Sequence, residues 1–159
     1  MKFLYLHKQL HCLNLLLLLI RLKPIFLTPL RIQKFYSTIE EVERAANKYD
    51  NDGLDVYFAL ATFEEPTNRR ADNALELKAL FLDLDCGPSK EYPTQASAVD
   101  ALRSFCKQLS LPKPLMVNSG RGVHVYWPLT EAVSAEQWLD AAERLKRACA
   151  DNGLLADPA

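Results

Sequence analysis

The sequence predicts an α+β fold in which a largely antiparallel sheet has helices packed on one face. Three observations predict it. Apolar and β-branched runs occur in pairs separated by polar turns, a helical segment follows each pair, and each helical segment carries its apolar stripe on one side only. With 159 residues and 49% hydrophobic composition, the chain can bury the core of one domain. A charged fraction of 25% is ordinary and argues against wholesale disorder.

Taken in order, residues 1–34 read as a basic, apolar, poorly ordered leader. They hold six of the 19 basic residues (Lys2, Lys8, Arg21, Lys23, Arg31, Lys34) and no acid. The apolar run over residues 13–20 is interrupted by Arg21 and Lys23, short of the roughly 18–20 residues a membrane span needs. No small-x-small cleavage site follows it, and Pro24 and Pro29 break any continuous helix. A helix docking on other parts, or a signal or anchor, are the competing readings; no membrane partner is expected.

Thr38-Ile39-Glu40-Glu41 has capping-box form and opens a helix with Ile39, Val42, Ala46 and Tyr49 on one side, ended by Asp50-Asn51-Asp52-Gly53. An aromatic-rich strand follows from about Leu54 to Phe63. Residues 64–74 form a polar loop with Arg69 and Arg70, which leads into a second strand ending near Asp85. Pro93-Thr94 starts a helix whose stripe is Ala98, Leu102, Phe105 or Cys106, and Leu109. Pro112 and Pro114 precede a hairpin over residues 115–127. Ser134-Ala135-Glu136-Gln137 then caps a last helix, with Trp138, Ala142, Leu145 and Cys149 inward and Asn152-Gly153 as its stop.

Two segments carry chemistry. In Leu80-Phe81-Leu82-Asp83-Leu84-Asp85-Cys86-Gly87, alternation points Asp83 and Asp85 the same way, with Cα atoms roughly 6.6 Å apart, and gives Leu80, Leu82 and Leu84 the other face. Carboxylates that close repel, and one stays protonated unless a cation lies between them. Mg²⁺ or Mn²⁺, which prefers carboxylate oxygens, waters and phosphates, is the usual remedy. The plainer alternative is two acids facing solvent at a strand end. In the hairpin, Asn118-Ser119-Gly120-Arg121-Gly122-Val123-His124 places a hydroxyl and a guanidinium beside two glycines, with His124 and Tyr126 sharing one strand face. Such a set suits a triphosphate. An ordinary hairpin with a polar turn and an exposed histidine is the alternative.

In order and spacing, these segments resemble the archaeo-eukaryotic type of primase-polymerase domain, particularly the version in phage and plasmid replication proteins. Asp83 and Asp85 match its Asp-x-Asp pair. Ser119, Gly120, Gly122 and His124 match its Ser-Gly-x-Gly-x-His element. Asp157, in Leu154-Leu155-Ala156-Asp157-Pro158, matches a single later Asp, and Val56-Tyr57-Phe58 and Tyr126-Trp127 resemble the flanks. The resemblance covers roughly residues 53–159.

The resemblance implies an RNA-recognition-motif-like core and metal-dependent nucleotidyl transfer. Asp83, Asp85 and Asp157 would hold Mg²⁺ or Mn²⁺, and Ser119, Gly120, Arg121 and His124 would bind the nucleotide. Implied partners are a single-stranded DNA template, nucleoside triphosphates and a helicase domain on the same or a partner chain, in the cytoplasm. In that family an Arg-rich segment and a closing strand follow the third Asp. Residues 35–159 are therefore expected to be a C-terminally truncated catalytic domain, with activity belonging to the full-length parent.

Two rivals remain. A haloacid-dehalogenase-like phosphatase also carries Asp-x-Asp after an apolar strand, and a catalytically silent replication-initiator or nucleic-acid-binding module could retain the fold. Beyond residue 34 the chain has 13 basic against 20 acidic residues, a balance of −7, which is not the bulk signature of a nucleic-acid binder. A template would need a local track such as Arg69, Arg70, Lys78, Lys90 and Arg121. Cys12, Cys86, Cys106 and Cys149 show no zinc-ligand spacing and read as free thiols of a reducing cytosol, and alternation turns Cys86 away from Asp85.

Overall fold

Hydrogen-bonding side chains set the helix starts in this chain, and alternating apolar residues set its strands. The computed structural model describes residues 15–21 and 31–158. They fall into two units with separate cores, the first running to Lys78 together with Ala132–Ala135, the second comprising Ala79–Glu131 and the residues from Glu136 onward. The fold is α+β.

The first unit contains β1 (Leu15–Arg21), β2 (Arg31–Tyr36), α1 (Ile39–Asn51), β3 (Asp55–Phe63) and the start of β4 (Ala74–Asp85). Strand β1 lies antiparallel between β2 and β3, with Leu18 opposite both Lys34 and Phe58. The Thr38 side chain accepts from the Glu41 N–H at 3.3 Å while the Glu41 carboxylate accepts from the Thr38 N–H at 3.2 Å, the expected capping box. Val42 and Ala46 of α1 are buried among Ile32, Tyr36, Tyr49, Val56 and Phe58.

A poorly ordered leader is expected over residues 1–34, yet this segment contributes β1 and the first part of β2. A leucine run too short for a membrane span is ample for a seven-residue strand, and its backbone groups find partners on both sides. The remainder of the leader, Cys12 included, lies outside the described residues. Among those described, no helix is long and apolar enough to cross a membrane.

The second unit continues β4 into α2 (Gln95–Gln108), β5 (Leu115–Asn118), β6 (Gly122–Ser134), α3 (Ala135–Asp151) and β7 (Asp157–Pro158). The succession is β-α-β-β-α-β with strand order β7-β4-β6-β5, the split βαβ arrangement expected of an RNA-recognition-motif-like core. Leu82 and Leu84 of β4 and Val123, Val125 and Trp127 of β6 share one core with Ala98, Leu102 and Phe105 of α2 and Cys149 of α3. Both helices therefore cover the same face of the sheet, and alternation turns Asp83, Asp85 and His124 to the other.

Trp138 departs from its expected place in the α3 core stripe. Its ring stacks on Phe81 at 5.4 Å and its Nε1–H donates to the Ala79 carbonyl at 2.7 Å. The indole N–H needs a partner when partly buried, and the β4 backbone supplies one. Cys86 packs against the core, as alternation predicts, and burial pushes its thiol above the ordinary value.

Candidate functional site

The open face of the second unit gathers four of the predicted side chains. Asp83 and Asp85 project from the end of β4, where Leu82 and Leu84 anchor the strand at 2% and 0% exposure. Strand β7 runs antiparallel to β4 with Asp157 directly opposite Asp83. Residues so paired have Cβ atoms about 4.5–5.5 Å apart on one face of the sheet. The third acid thus joins the pair through register. From β6, His124 brings its Nε2 to 3.8 Å from Asp83 Oδ2.

These groups perturb one another. Burial pushes the Asp83 carboxyl above its ordinary range; His124 draws it down, while the charges of Asp85 and Asp157 push it further up. One Asp83 oxygen, Oδ1, is buried with no hydrogen-bond partner, although the side chain as a whole is about half exposed. A buried carboxylate oxygen left unpaired is costly, so this atom calls for a donor or a cation. The Tyr126 hydroxyl lies 3.3 Å from His124 Nδ1. Tyr126 is 6% exposed and packs beside Phe81, and burial pushes its hydroxyl up to about 12. It thus stays a neutral phenol within hydrogen-bonding distance of Nδ1, across the ring from the Nε2 that faces Asp83.

The Ser119-Gly120-Arg121 turn behaves differently. Its backbone adjoins the site, because the Cys86 N–H donates to the Arg121 carbonyl at 2.9 Å. The Ser119 and Arg121 side chains are exposed. The two glycines have different reasons to be there. Gly120 holds a φ of +94°, which favours glycine, and its N–H donates to Asn118 Oδ1 at 2.8 Å. At Gly122 a Cβ would sit 2.4 Å from the Leu84 carbonyl oxygen, so this glycine serves close approach of β6 to β4.

No protein-family model, curated protein or solved structure matches this chain. The site therefore has to be read from its own chemistry.

Three residues of the site region escape a motif-based reading. Lys90 donates to Asp85 Oδ2 at 2.6 Å. Gln95, the first residue of α2, donates through Nε2 to Asn118 Oδ1 at 2.8 Å and to the Gly122 carbonyl at 3.0 Å, bracing the turn from below. The buried Tyr92 accepts from the Leu155 N–H at 2.9 Å and so ties the chain leading to Asp157 to the loop after β4. Asp85, Ser89, Lys90, Glu91, Leu155 and Asp157 border an open cleft of about 410 Å³.

An all-oxygen donor set suits Mg²⁺ or Mn²⁺. The adjacency of Asp83, Asp85 and Asp157 and the orphaned Asp83 Oδ1 fit such an ion. As placed, however, the side chains are not closed into a coordination shell: among the described residues no group of three or more His, Cys, Asp or Glu side chains is clustered tightly enough to hold a metal. Asp85 is instead turned toward Lys90.

Proposed function

We propose that this chain carries the catalytic core of metal-dependent nucleotidyl transfer, of the DNA primase-polymerase kind found in phage- or plasmid-type replication proteins. The observation that carries the reading is the register of β7 on β4, which sets Asp157 against Asp83 and makes a pair of acids into a trio. On this reading Asp83, Asp85 and Asp157 hold Mg²⁺ or Mn²⁺. When bound, that ion would lower the pKa of an attacking 3′-hydroxyl and offset the charge of a departing pyrophosphate. His124, with the Tyr126 hydroxyl at its Nδ1, presents Nε2 toward the phosphates of an incoming nucleotide. Arg121 and Ser119, exposed on the turn beside the end of β4, reach those phosphates from solvent. The partners are nucleoside triphosphates, a single-stranded DNA template and a helicase domain on the same or another chain, in the cytoplasm.

The test is template-dependent nucleotide incorporation with Mg²⁺ or Mn²⁺. Asp83→Asn and Asp85→Asn should each abolish incorporation without unfolding the protein. Normal incorporation by both variants would refute the assignment.

A second reading is a catalytically silent nucleic-acid-binding module. The absence of a closed coordination shell among the described residues favours it. Metal-independent DNA binding without incorporation would support it. A haloacid-dehalogenase-like phosphatase needs a parallel sheet behind its nucleophilic Asp; here β4 pairs antiparallel with β7, and β5 and β6 form a hairpin.

A further inference from the structure

Resting on the metal reading above, we propose that Lys90 is an internal counter-cation that competes with the divalent ion for Asp85, so that metal entry requires displacement of its ammonium. The 2.6 Å contact between Lys90 Nζ and Asp85 Oδ2 spends one carboxylate oxygen of the trio on a protein cation. An ammonium offers only donors, so it cannot join a metal's ligand set and must leave the oxygen that a metal takes.

Two features make Lys90 suited to such an exchange. Its backbone is pinned: the Lys90 N–H donates to the Gly87 carbonyl at 3.0 Å, the Gly87 N–H donates to the Tyr92 carbonyl at 2.9 Å, and Tyr92 is held by Leu155. The side chain thus starts from a fixed point next to the carboxylates. The head group is free to go, since the Lys90 side chain is 50% exposed and its ion pair with Asp85 is accessible to water. It can swing into solvent or along the cleft that it borders with Asp85 and Asp157. An exposed ion pair is weak, and a dication held by three carboxylates outcompetes it. Lys90 then lowers metal affinity without closing the site, and keeps the acids partly neutralised in the metal-free protein.

The experiment is Mn²⁺ titration of the whole chain, read by the electron paramagnetic resonance of free Mn²⁺, for the wild type, Lys90→Met, Lys90→Arg and Asp85→Asn. Lys90→Met should bind Mn²⁺ about 3- to 10-fold more tightly at low salt, a gain that shrinks as salt rises. Lys90→Arg, which keeps the charge, should stay within about twofold of wild type. Wild-type binding that Asp85→Asn weakens but Lys90→Met leaves unchanged or weakens would overturn the role of Lys90 and leave the metal reading standing. Mn²⁺ binding that is undetectable in all four, or indifferent to Asp85→Asn, would refute the metal reading and this inference together. Circular dichroism confirms that each variant is folded.

Discussion

The two oxygens of Asp83 have different surroundings, Oδ2 facing His124 and Oδ1 buried without a partner, and this asymmetry has a pH signature. Its folded pKa stands above the ordinary value of 3.8, chiefly through burial. The folded state then holds the proton longer than the unfolded chain. The associated stability is fully present below the unfolded pKa and is lost as pH rises through the folded one. In metal-free protein at pH 7, Asp83→Asn should therefore raise the melting temperature by a few degrees at most, since the side chain is half exposed, and the gain should vanish below about pH 4. Added Mn²⁺ should reverse the ranking by stabilising only the wild type. A melting series in which Asp83→Asn is less stable than wild type at pH 7 without metal would contradict this account. The glycines separate cleanly as well: Gly122→Ala forces a Cβ onto the Leu84 carbonyl and should cost about 1–3 kcal/mol in denaturant unfolding. Gly120→Ala meets nothing within 4 Å and should cost only its left-handed strain, about 1–2 kcal/mol. The carboxylate pair and His124 were legible because alternation alone fixes their facing. Lys90 and Gln95 were not, since each acts through a partner that only the folded chain brings near.

At the level of elements, capping boxes and proline stops placed the three helices well. Helix α2 begins at a reciprocal pair in which the Thr94 hydroxyl accepts from the Ser97 N–H at 3.1 Å and the Ser97 hydroxyl oxygen accepts from the Thr94 N–H at 3.2 Å. Because Gln95 braces the Ser119–Arg121 turn from the first position of this helix, loss of the cap should also loosen the turn. Thr94→Ala should cost about 0.5–2 kcal/mol of stability and raise amide exchange at Ser119 and Gly120; unchanged exchange there would uncouple helix and turn. Strands were less legible where they are short or unusual in composition. The two residues of β7 carry no periodicity, so the sequence offered Asp157 by motif order but not by geometry. In β1, a leucine run without β-branched residues until Ile20 reads poorly as a strand, and its pairing with β2 and β3 depends on contacts distant in sequence.

For the whole molecule, charge and topology bear on function in different ways. The acidic balance beyond residue 34 predicts weak DNA affinity, carried by few phosphate contacts. A fluorescence-anisotropy salt series on single-stranded DNA should give a shallow slope, corresponding to about three phosphates or fewer, and a steep slope would reveal a basic track that the charge balance conceals. The α+β class and strand-strand-helix order followed from local patterns, whereas the β7-β4-β6-β5 order required the fold itself. That order is what brings a residue from near the end of the described chain against β4. If Asp83, Asp85 and Asp157 act as one cation site, the Mn²⁺ affinity of Asp157→Asn is the decisive measurement. A loss of about tenfold or more, comparable to that in Asp83→Asn, is the predicted result. Full Mn²⁺ affinity in Asp157→Asn would contradict it.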